Sequence, residues 1–349
     1  MNFFIIKSLL ISFISFVIAF AATPLLTKFL FKYKLGKSIR ANGTTPVFSK
    51  LHAHKAGTPT MGGILIWGSV LLVILLFYYL SLLLPGSIFS ELNFLTREET
   101  LLPLGALIAA ALVGLLDDWI DINRKKGGGG FLIRNRLLIY AAIAVIGALW
   151  FFFKLEWDFF HIPFIGGFNI SLWYIPVFVF VLVATSFSVN ETDGLDGLAG
   201  GTLLISYAAY GVISFSMGKY DLAVFCAAIT GALLTFLWYN IAPARFYMGD
   251  TGAMSLGITL GVIAMLTNTA LILPIIGLVF VGESLSVIIQ LTSKKIRNGK
   301  KVFISTPIHH HFEAIGWPET KIVMRFWVIS GMAAAIGLML FLLDKTLSG

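Results

Sequence analysis

Long apolar runs alternate with short polar connections along the whole chain. An open chain can satisfy its backbone polar groups inside a bilayer only as helices, and a helix needs roughly 20 residues to cross the hydrocarbon core. The period-two alternation of a transmembrane β-barrel is absent from the sequence. We therefore predict an all-α integral membrane protein, one polytopic domain over residues 1–349, with about ten transmembrane helices at residues 3–27, 61–84, 101–117, 137–153, 172–189, 198–216, 222–239, 251–267, 270–291 and 323–343.

Composition supports this class of protein. Hydrophobic residues make up 58% of the 349 residues and charged residues 12%, and the mean hydropathy is +0.92. That leaves too little polar surface for a soluble globule. The single cysteine, Cys226, lies within a predicted span, which excludes a disulfide framework and a cysteine metal site. The small-residue stretch 19–21 resembles a signal-peptide cleavage site, but the run is long and its main basic cluster follows it, so we expect an uncleaved signal anchor.

The distribution of positive charge predicts the orientation. If the chain starts outside, twenty of the 25 Lys and Arg residues border the inner side, in loops 28–60, 118–136, 240–250 and 292–322 or at Arg325. By the positive-inside rule, both termini are periplasmic and these loops are cytoplasmic. Cations beside anionic lipid also account for a pI near 9.5 without any nucleic-acid partner.

The polar-rich connections all fall on the predicted inner face. They read KAGTPTMGG (55–63), GLLDDW (114–119), NETDGLDG (190–197), NIAPARFYMGDTG (240–252) and STPIHHHFE (305–313). The outer loops carry nothing comparable. This asymmetry predicts one site that opens to the cytoplasm.

Several carboxylates are candidates for chemistry. Asp117 and Asp118 end the third run, at a helix C-terminus where the macrodipole disfavours anions, so they indicate a bound cation or an acid/base role rather than a solvated helix end. Asn190, Asp193 and Asp196 follow one another at i,i+3 spacing and would share a face of a helical turn. One of these acids could simply cap the next helix, which leaves the other polar groups unexplained.

The MGDTG stretch allows two interpretations. Asp250 is either the N-cap of the eighth span or part of the site, and it shares a short loop with Asn240 and Gly249. Tyr247 on the same loop could stack on a base or anchor the chain at the membrane interface. The sequence leaves both questions open.

Basic groups on the inner side fit an anionic substrate. His309, His310 and His311 are consecutive and cannot easily bind one metal, so we interpret them as donors to phosphate oxygens, the alternative being a solvated tract. The oxygen-rich side chains elsewhere favour Mg²⁺ over Zn²⁺. Lys55 is a candidate phosphate ligand, although a lone lysine is usually solvated. Glu283 lies inside the ninth run, where an acid is either functional or hydrogen-bonded between helices. Together these groups suggest phosphoryl transfer, in which positioning and charge neutralisation supply most of the catalysis.

A resemblance to a known family is carried by these segments, in order: KAGTPTMGG, GLLDDW, NETDGLDGLAGG, FYMGDTG, TPIHHHFE and GWPETKIVMRFW. With them, the chain resembles the polyprenyl-phosphate N-acetylhexosamine-1-phosphate transferases. The resemblance spans nearly the whole chain, and TPIHHHFE with the following GWPE favours the muramoyl branch over the GlcNAc-1-phosphate branch. It implies a multi-pass enzyme of the bacterial inner membrane that depends on Mg²⁺. It also implies transfer of phospho-MurNAc-pentapeptide from UDP-MurNAc-pentapeptide to undecaprenyl phosphate, with release of UMP, in peptidoglycan synthesis.

The same resemblance implies roles for individual residues. Asp117, Asp118 and Asp250 would be the essential acids, with Asp250 on Mg²⁺. The substrate cleft would be lined by Lys55, Asn190, Asp193, Asp196, Asn240, Tyr247, Gly249, Gln290, His309, His310 and His311. Two positions depart from the family pattern: Asp121 stands where the family often has Lys, and Glu191 where it usually has an apolar residue.

Three questions stay open at this point. The acceptor phosphate could attack directly with Asp117 as base, or a phospho-aspartyl enzyme could form on Asp118 or Asp250. A sister transferase using UDP-GlcNAc is an alternative, and so is an ion-coupled transporter, which would place acids near the midplane of several spans rather than at one face. A homodimer is compatible with the chain, but the sequence does not determine the number of copies.

Overall fold

The structure is a computed structural model, and it describes all residues except 34, 37–56, 98, 124–129 and 349. Within the described residues the chain is almost entirely helical. The helices are α1 (Asn2–Lys32), α2 (Gly63–Leu83), α3 (Ile88–Leu92), α4 (Leu101–Asn123), α5 (Ile133–Lys154), α6 (Tyr174–Thr192), α7 (Leu198–Ser216), α8 (Tyr220–Asn240), α9 (Gly249–Leu266), α10 (Leu273–Ile276), α11 (Leu278–Ile296), α12 (Ile308–Ala314) and α13 (Glu319–Ser348).

One small hairpin joins α5 to α6. Strand β1 (Phe159–Ile162) pairs antiparallel with β2 (Gly166–Asn169), and a single 3-10 turn at Ser171–Trp173 leads into α6. The hairpin is fastened to the end of α13, because Asp344 accepts a hydrogen bond from the backbone N–H of Phe164 (2.7 Å) and lies 2.6 Å from His161 Nε2.

Nine of the helices in the described residues are long and apolar enough to cross a membrane, and they coincide with nine of the ten predicted spans. The prediction of an all-α integral membrane protein is confirmed. The predicted span at 270–291 is not one continuous helix, because the chain breaks at Gly277 between α10 and α11. The longer piece, α11, carries Glu283, Lys294 and Lys295, so it is less apolar than the other nine.

Helix α9 is the centre of the bundle. All 18 of its residues are buried, and it packs mainly against α4 and α6. Small residues allow this close packing: a Cβ added at Gly257 would stand only 2.7 Å from the Cα of Ser186 on α6, and Gly114 on α4 lies directly against the backbone of Asp250 and Thr251. Helices in membranes commonly associate through such small residues. The close approach of α4 and α9 brings the C-terminal part of α4 next to the N-terminus of α9.

The orientation stays a prediction, and cysteine labelling can test it. The lone Cys226 is fully buried, so it contributes little background. We expect an impermeant maleimide to label Ile165→Cys, at the exposed hairpin turn, in spheroplasts, and to label Lys301→Cys, exposed after α11, only in inverted vesicles. The opposite pattern would place the polar connections outside and contradict the predicted topology.

Candidate active site

Asp118 closes the N-terminus of the central helix. Its Oδ1 accepts a hydrogen bond from the backbone N–H of Asp250 and its Oδ2 one from Thr251, each at 3.1 Å. The first N–H groups of a helix have no partner within the helix, and a buried helix cannot offer them to water. The interpretation of Asp250 as the N-cap of this helix is therefore wrong. Asp250 lies inside the first turn, and the carboxylate of Asp118 on α4 accepts the hydrogen bonds of the first-turn N–H groups.

The prediction that Asp117 and Asp118 end their helix is also wrong, because α4 continues to Asn123. The apolar run stops at the acids, but the backbone stays helical beyond the apolar stretch. Asp118 is accommodated because it faces the N-terminus of α9, where the macrodipole favours an anion. The helix end was misplaced, and a function for Asp117 and Asp118 stays a prediction.

Arg136, in the first turn of α5, lies between two of the predicted acids. Its Nε is 2.8 Å from Oδ2 of Asp117, and its Nη2 is 2.9 Å from Oδ2 of Asp250. Its Nη1 donates to Oδ1 of Asn190 at 3.1 Å, and the amide of Asn190 donates to Oδ1 of Asp250 at 2.6 Å. These four residues with Asp118 form the acid–arginine cluster.

The sequence analysis missed Arg136. A signal existed, since a cation in the first turn of a helix is as unfavourable as an anion in the last one. The signal was weak because Arg136 follows other basic residues on an inner loop, where lysine and arginine are expected for topological reasons.

Asp117 is held from two sides. Besides the ion pair with Arg136, its Oδ1 accepts a hydrogen bond from the backbone N–H of Phe131. Gly130 lies flat against the same carboxylate, where a Cβ would overlap Oδ1. The segment after the undescribed residues 124–129 is thus fitted closely to this carboxylate.

The donor set can be tested for a metal ion. Within the described part of the chain, no three acidic, histidine or cysteine side chains are grouped closely enough to hold one. However, Asp117, Asp118 and Asp250 are all buried, and Arg136 supplies one positive charge to the acid–arginine cluster. If all three are ionised, a divalent cation beside Arg136 would balance the charge. Hard carboxylate oxygens suit Mg²⁺, so the residues fit the ion, provided that Arg136 moves.

Two predicted cleft residues hold the inner loops to each other. Asp196 accepts a hydrogen bond from the backbone N–H of Ala244 at 2.9 Å, and its own N–H donates to Glu319 at 2.7 Å. Asn240 accepts from the N–H of Gly197 at 2.9 Å and donates to the carbonyl of Phe246 at 2.8 Å. Both side chains are buried, so their first role here is to shape the loops; a contact with substrate stays a prediction.

The other predicted cleft residues on the loops differ in their burial and contacts. Gly249 has φ +74°, and a Cβ there would stand 2.6 Å from Oδ2 of Asp118, so this turn requires glycine. Tyr247 and Asp193 are half-buried at the same end of the bundle.

Gln290 is hydrogen-bonded to the backbone after α11. Its Oε1 accepts from the N–H groups of residues 302 and 303, and its amide donates to the carbonyl of residue 303. Lys55 lies outside the described residues.

The three histidines have three different environments. His309 Nδ1 lies 2.9 Å from Oε2 of Glu283, and both side chains are buried. His310 Nδ1 lies 2.6 Å from Oε2 of Glu313, whereas His311 accepts a hydrogen bond from the backbone N–H of residue 304 at 3.3 Å. The sequence allowed Glu283 to be either functional or hydrogen-bonded between helices. The structure shows the contact between helices, from Glu283 on α11 to His309 on α12.

Glu191 connects the acid–arginine cluster with His309. Glu191, the unexplained departure from the family pattern, is half-buried at the end of α6 and interacts electrostatically with Arg136, His309 and Asp250. It therefore lies between the two groups. The structure brings together the ends of α4, α5, α6 and α9 with α12 at one end of the bundle. That this end faces the cytoplasm stays a prediction.

The chain is similar over nearly its whole length to curated proteins of one name. Residues 100–268 match the family model described as glycosyl transferase family 4, and residues 55–66 match phospho-N-acetylmuramoyl-pentapeptide-transferase signature 1. The phospho-N-acetylmuramoyl-pentapeptide-transferase of Chloroflexus aggregans is 38% identical over 350 residues, covering 97% of this chain and 90% of the relative. Those of Geobacillus thermodenitrificans and Clostridium perfringens are 40% and 38% identical, covering 93% and 91% of this chain and 95% and 93% of the relatives.

Removing the guanidinium should destabilise the fold. In Arg136→Gln the buried carboxylates of Asp117 and Asp250 lose their shared cation, and breaking a buried ion pair costs roughly 3–5 kcal/mol. We expect a clearly lower midpoint of thermal unfolding, measured by tryptophan fluorescence in detergent. Arg134→Gln is the matched control, since this arginine is exposed on the same turn of α5. Equal midpoints for the two variants would show that Arg136 does not hold the cluster together.

Proposed function

The chain belongs to the family of phospho-N-acetylmuramoyl-pentapeptide transferases, and from this premise we propose that it transfers phospho-MurNAc-pentapeptide from UDP-MurNAc-pentapeptide to undecaprenyl phosphate. The products are lipid I and UMP. The chain is a multi-pass membrane protein, and the bacterial inner membrane as its location is part of the proposal. The observation that carries the proposal is the acid–arginine cluster at the end of the bundle, beside the inner connections.

Both substrates carry phosphate, so the site must supply positive charge. The guanidinium of Arg136 is already aligned with two carboxylates through different nitrogens, and phosphate oxygens accept the same forked pattern of N–H donors. We propose that a diphosphate entering the site draws Arg136 away from Asp117 and Asp250. This exchange would release two buried carboxylates at the moment when the donor binds.

Asp250 would hold Mg²⁺ once the guanidinium of Arg136 has moved away from its Oδ2. When bound, the ion would neutralise charge on the diphosphate and the leaving UMP. Asn190 fixes the orientation of Asp250 through its amide, which donates to one oxygen and leaves the oxygen facing Arg136 for a cation. Such outer contacts commonly orient metal ligands.

The partners of the acids favour a one-step mechanism. Asp118 uses both oxygens to accept N–H groups of α9, so it is poorly placed to act as a nucleophile. The Oδ2 of Asp117 contacts Arg136 and would be released by this arginine when the guanidinium moves. We therefore propose that the acceptor phosphate attacks the β-phosphate of the donor directly and that Asp117 removes its proton. The phospho-aspartyl route remains the alternative through Asp250.

The transporter hypothesis loses the residue that motivated it. Glu283 contacts His309 on α12, at the same site as the other acids, instead of standing alone in a span. The sister activity with UDP-GlcNAc is an outcome of the experiment that follows. A homodimer stays a prediction, which the mass of the protein in nanodiscs would test.

The proposed function is tested by UMP release from purified protein in nanodiscs containing undecaprenyl phosphate. We expect release with UDP-MurNAc-pentapeptide, none with UDP-GlcNAc, and loss of release in EDTA that added Mg²⁺ reverses. Release with UDP-GlcNAc alone would assign the chain to the sister branch. Full activity in EDTA would contradict the magnesium site, and no release with either donor would contradict the function.

Asp250→Asn should separate catalysis from folding. The substitution removes charge from the proposed ligand and should lower the rate of UMP release by at least roughly 10²-fold. The unfolding midpoint should fall less than in Arg136→Gln, because the helix cap on Asp118 remains and Arg136 keeps its ion pair with Asp117. Glu91→Gln, which removes one exposed charge on α3, is the control for net charge. Near-normal release by Asp250→Asn at saturating Mg²⁺ would remove this residue from the metal site.

A further inference from the structure

Glu283 and His309 form an isolated buried pair at the edge of the acid–arginine cluster. Glu283 lies on α11 and His309 on α12, and their side chains are 0% and 1% exposed. The same carboxylate oxygen, Oε2, lies 2.9 Å from the ring Nδ1 and accepts a long hydrogen bond of 3.4 Å from the backbone N–H of His309. Glu283 thus fixes both the ring and the start of its helix.

One atom on each side of this pair has no partner within the described part of the chain. They are Oε1 of Glu283 and Nε2 of His309, and both are buried. The Nε2 edge of the ring lies against Gly194, where a Cβ would overlap it. A buried polar atom without a hydrogen bond is costly, so Nε2 beside a glycine on the 190–197 loop marks a place for an acceptor from outside the chain.

The charges around the ring decide which acceptor this is. Burial lowers the pKa of His309, but the nearby carboxylate and hydrogen bond of Glu283 outweigh it, so the pKa lies above its ordinary value. Glu313 on α12 and Glu191 on α6 also raise the pKa of His309. The ring of His310 packs edge-on against the ring of His309, with 4.1 Å between the ring centroids. The contacts place Nδ1 toward Glu283 and Nε2 toward the loop, and the raised pKa favours the protonated ring, in which Nε2 carries a hydrogen that it can donate.

We propose that Glu283 is the positioning residue of His309: it holds the ring through Nδ1 and keeps it cationic, so that Nε2–H donates to an anionic phosphate oxygen of the bound substrate beside Gly194. The inference rests on the proposed function for the identity of that oxygen. A carboxylate that fixes the orientation and the proton of a functional histidine is a common arrangement in enzymes. His310 has a similar contact with Glu313, three residues along the same helix, whereas Nδ1 of His311 accepts a hydrogen bond from a backbone N–H.

The pH dependence of UMP release tests the role of Glu283. The active form is the imidazolium, so kcat/KM should fall as the pH rises through the pKa of His309. Glu283→Gln keeps the size and an acceptor oxygen but removes the charge. We expect the alkaline limb to move to lower pH by roughly 1–3 units, the range for losing an adjacent opposite charge. A merely structural role would lower activity equally at every pH, and that result would overturn the proposal.

A double-mutant cycle tests whether Glu283 acts through His309. In the background of His309→Gln, the further change Glu283→Gln should cost little additional activity, since the ring that it positions is gone. Additive losses would contradict the proposal. Glu313→Gln is the comparison variant, because it removes a similar charge from the partner of His310; an alkaline shift as large as that of Glu283→Gln would mean that the contact with Glu283 is not the cause.

Two measurements keep the test independent of folding and of the proposed function. In protein labelled with ¹⁵N-histidine, the His309 resonance is identified by its loss in His309→Gln, and it should titrate at lower pH in Glu283→Gln than in the wild type. Identical titrations would overturn the inference even if the wild type releases no UMP. Gly194→Ala would place a Cβ in overlap with Nε2, so the ring can no longer offer this atom to a substrate beside the loop. The variant should lower UMP release, and unchanged release would also contradict the proposal.

Discussion

The hydrogen bonds from the first turn of α9 to Asp118 are the interaction on which the site depends. Helix α9 is buried along its whole length, so its leading N–H groups can be satisfied only by another part of the chain. Asp118 supplies both acceptor atoms from α4. Because Asp117 precedes it and Gly114 lets the helices touch, this cap also fixes the distance between the Asp117 carboxylate and Asp250. The geometry of the acids proposed for catalysis therefore follows from a requirement of helix packing in a membrane.

The buried carboxylates of Asp117 and Asp250 lie close enough to contact the same guanidinium, and they would repel each other without a cation between them. Arg136 provides the cation, and it contacts Asp117 and Asp250 through different nitrogens. A guanidinium is suited to this position because it stays charged and offers several donors in one plane. In the proposed reaction, the same property would let it transfer from carboxylate to phosphate without losing its hydrogen bonds. Stability before substrate binding and charge neutralisation afterwards would then depend on one side chain.

The sequence correctly predicted the features that depend on residues close together in the chain. Apolar length predicted nine membrane helices correctly, and the polar connections identified the acids that the structure brings together. It was insufficient where the outcome depends on remote partners. The end of the apolar run at Asp117 was taken for the end of α4, and the cap of α9 was assigned to Asp250 because Asp118 is far away in sequence. Arg136 was missed for the same reason, since its partners lie on α4, α6 and α9.

The pair of Glu283 and His309 shows why an intramembrane acid need not be explained by stability. Removing two charges from water costs several kcal/mol per ion, and apolar residues of similar size often replace a buried ion pair without loss of stability. Hydrogen bonding alone also leaves one oxygen of Glu283 and the Nε2 of His309 unsatisfied in the described chain. A purely structural pair would be expected to satisfy its own atoms. An arrangement that leaves a donor facing Gly194, beside the carboxylates that would meet a phosphate, is better explained by the anion that it can receive.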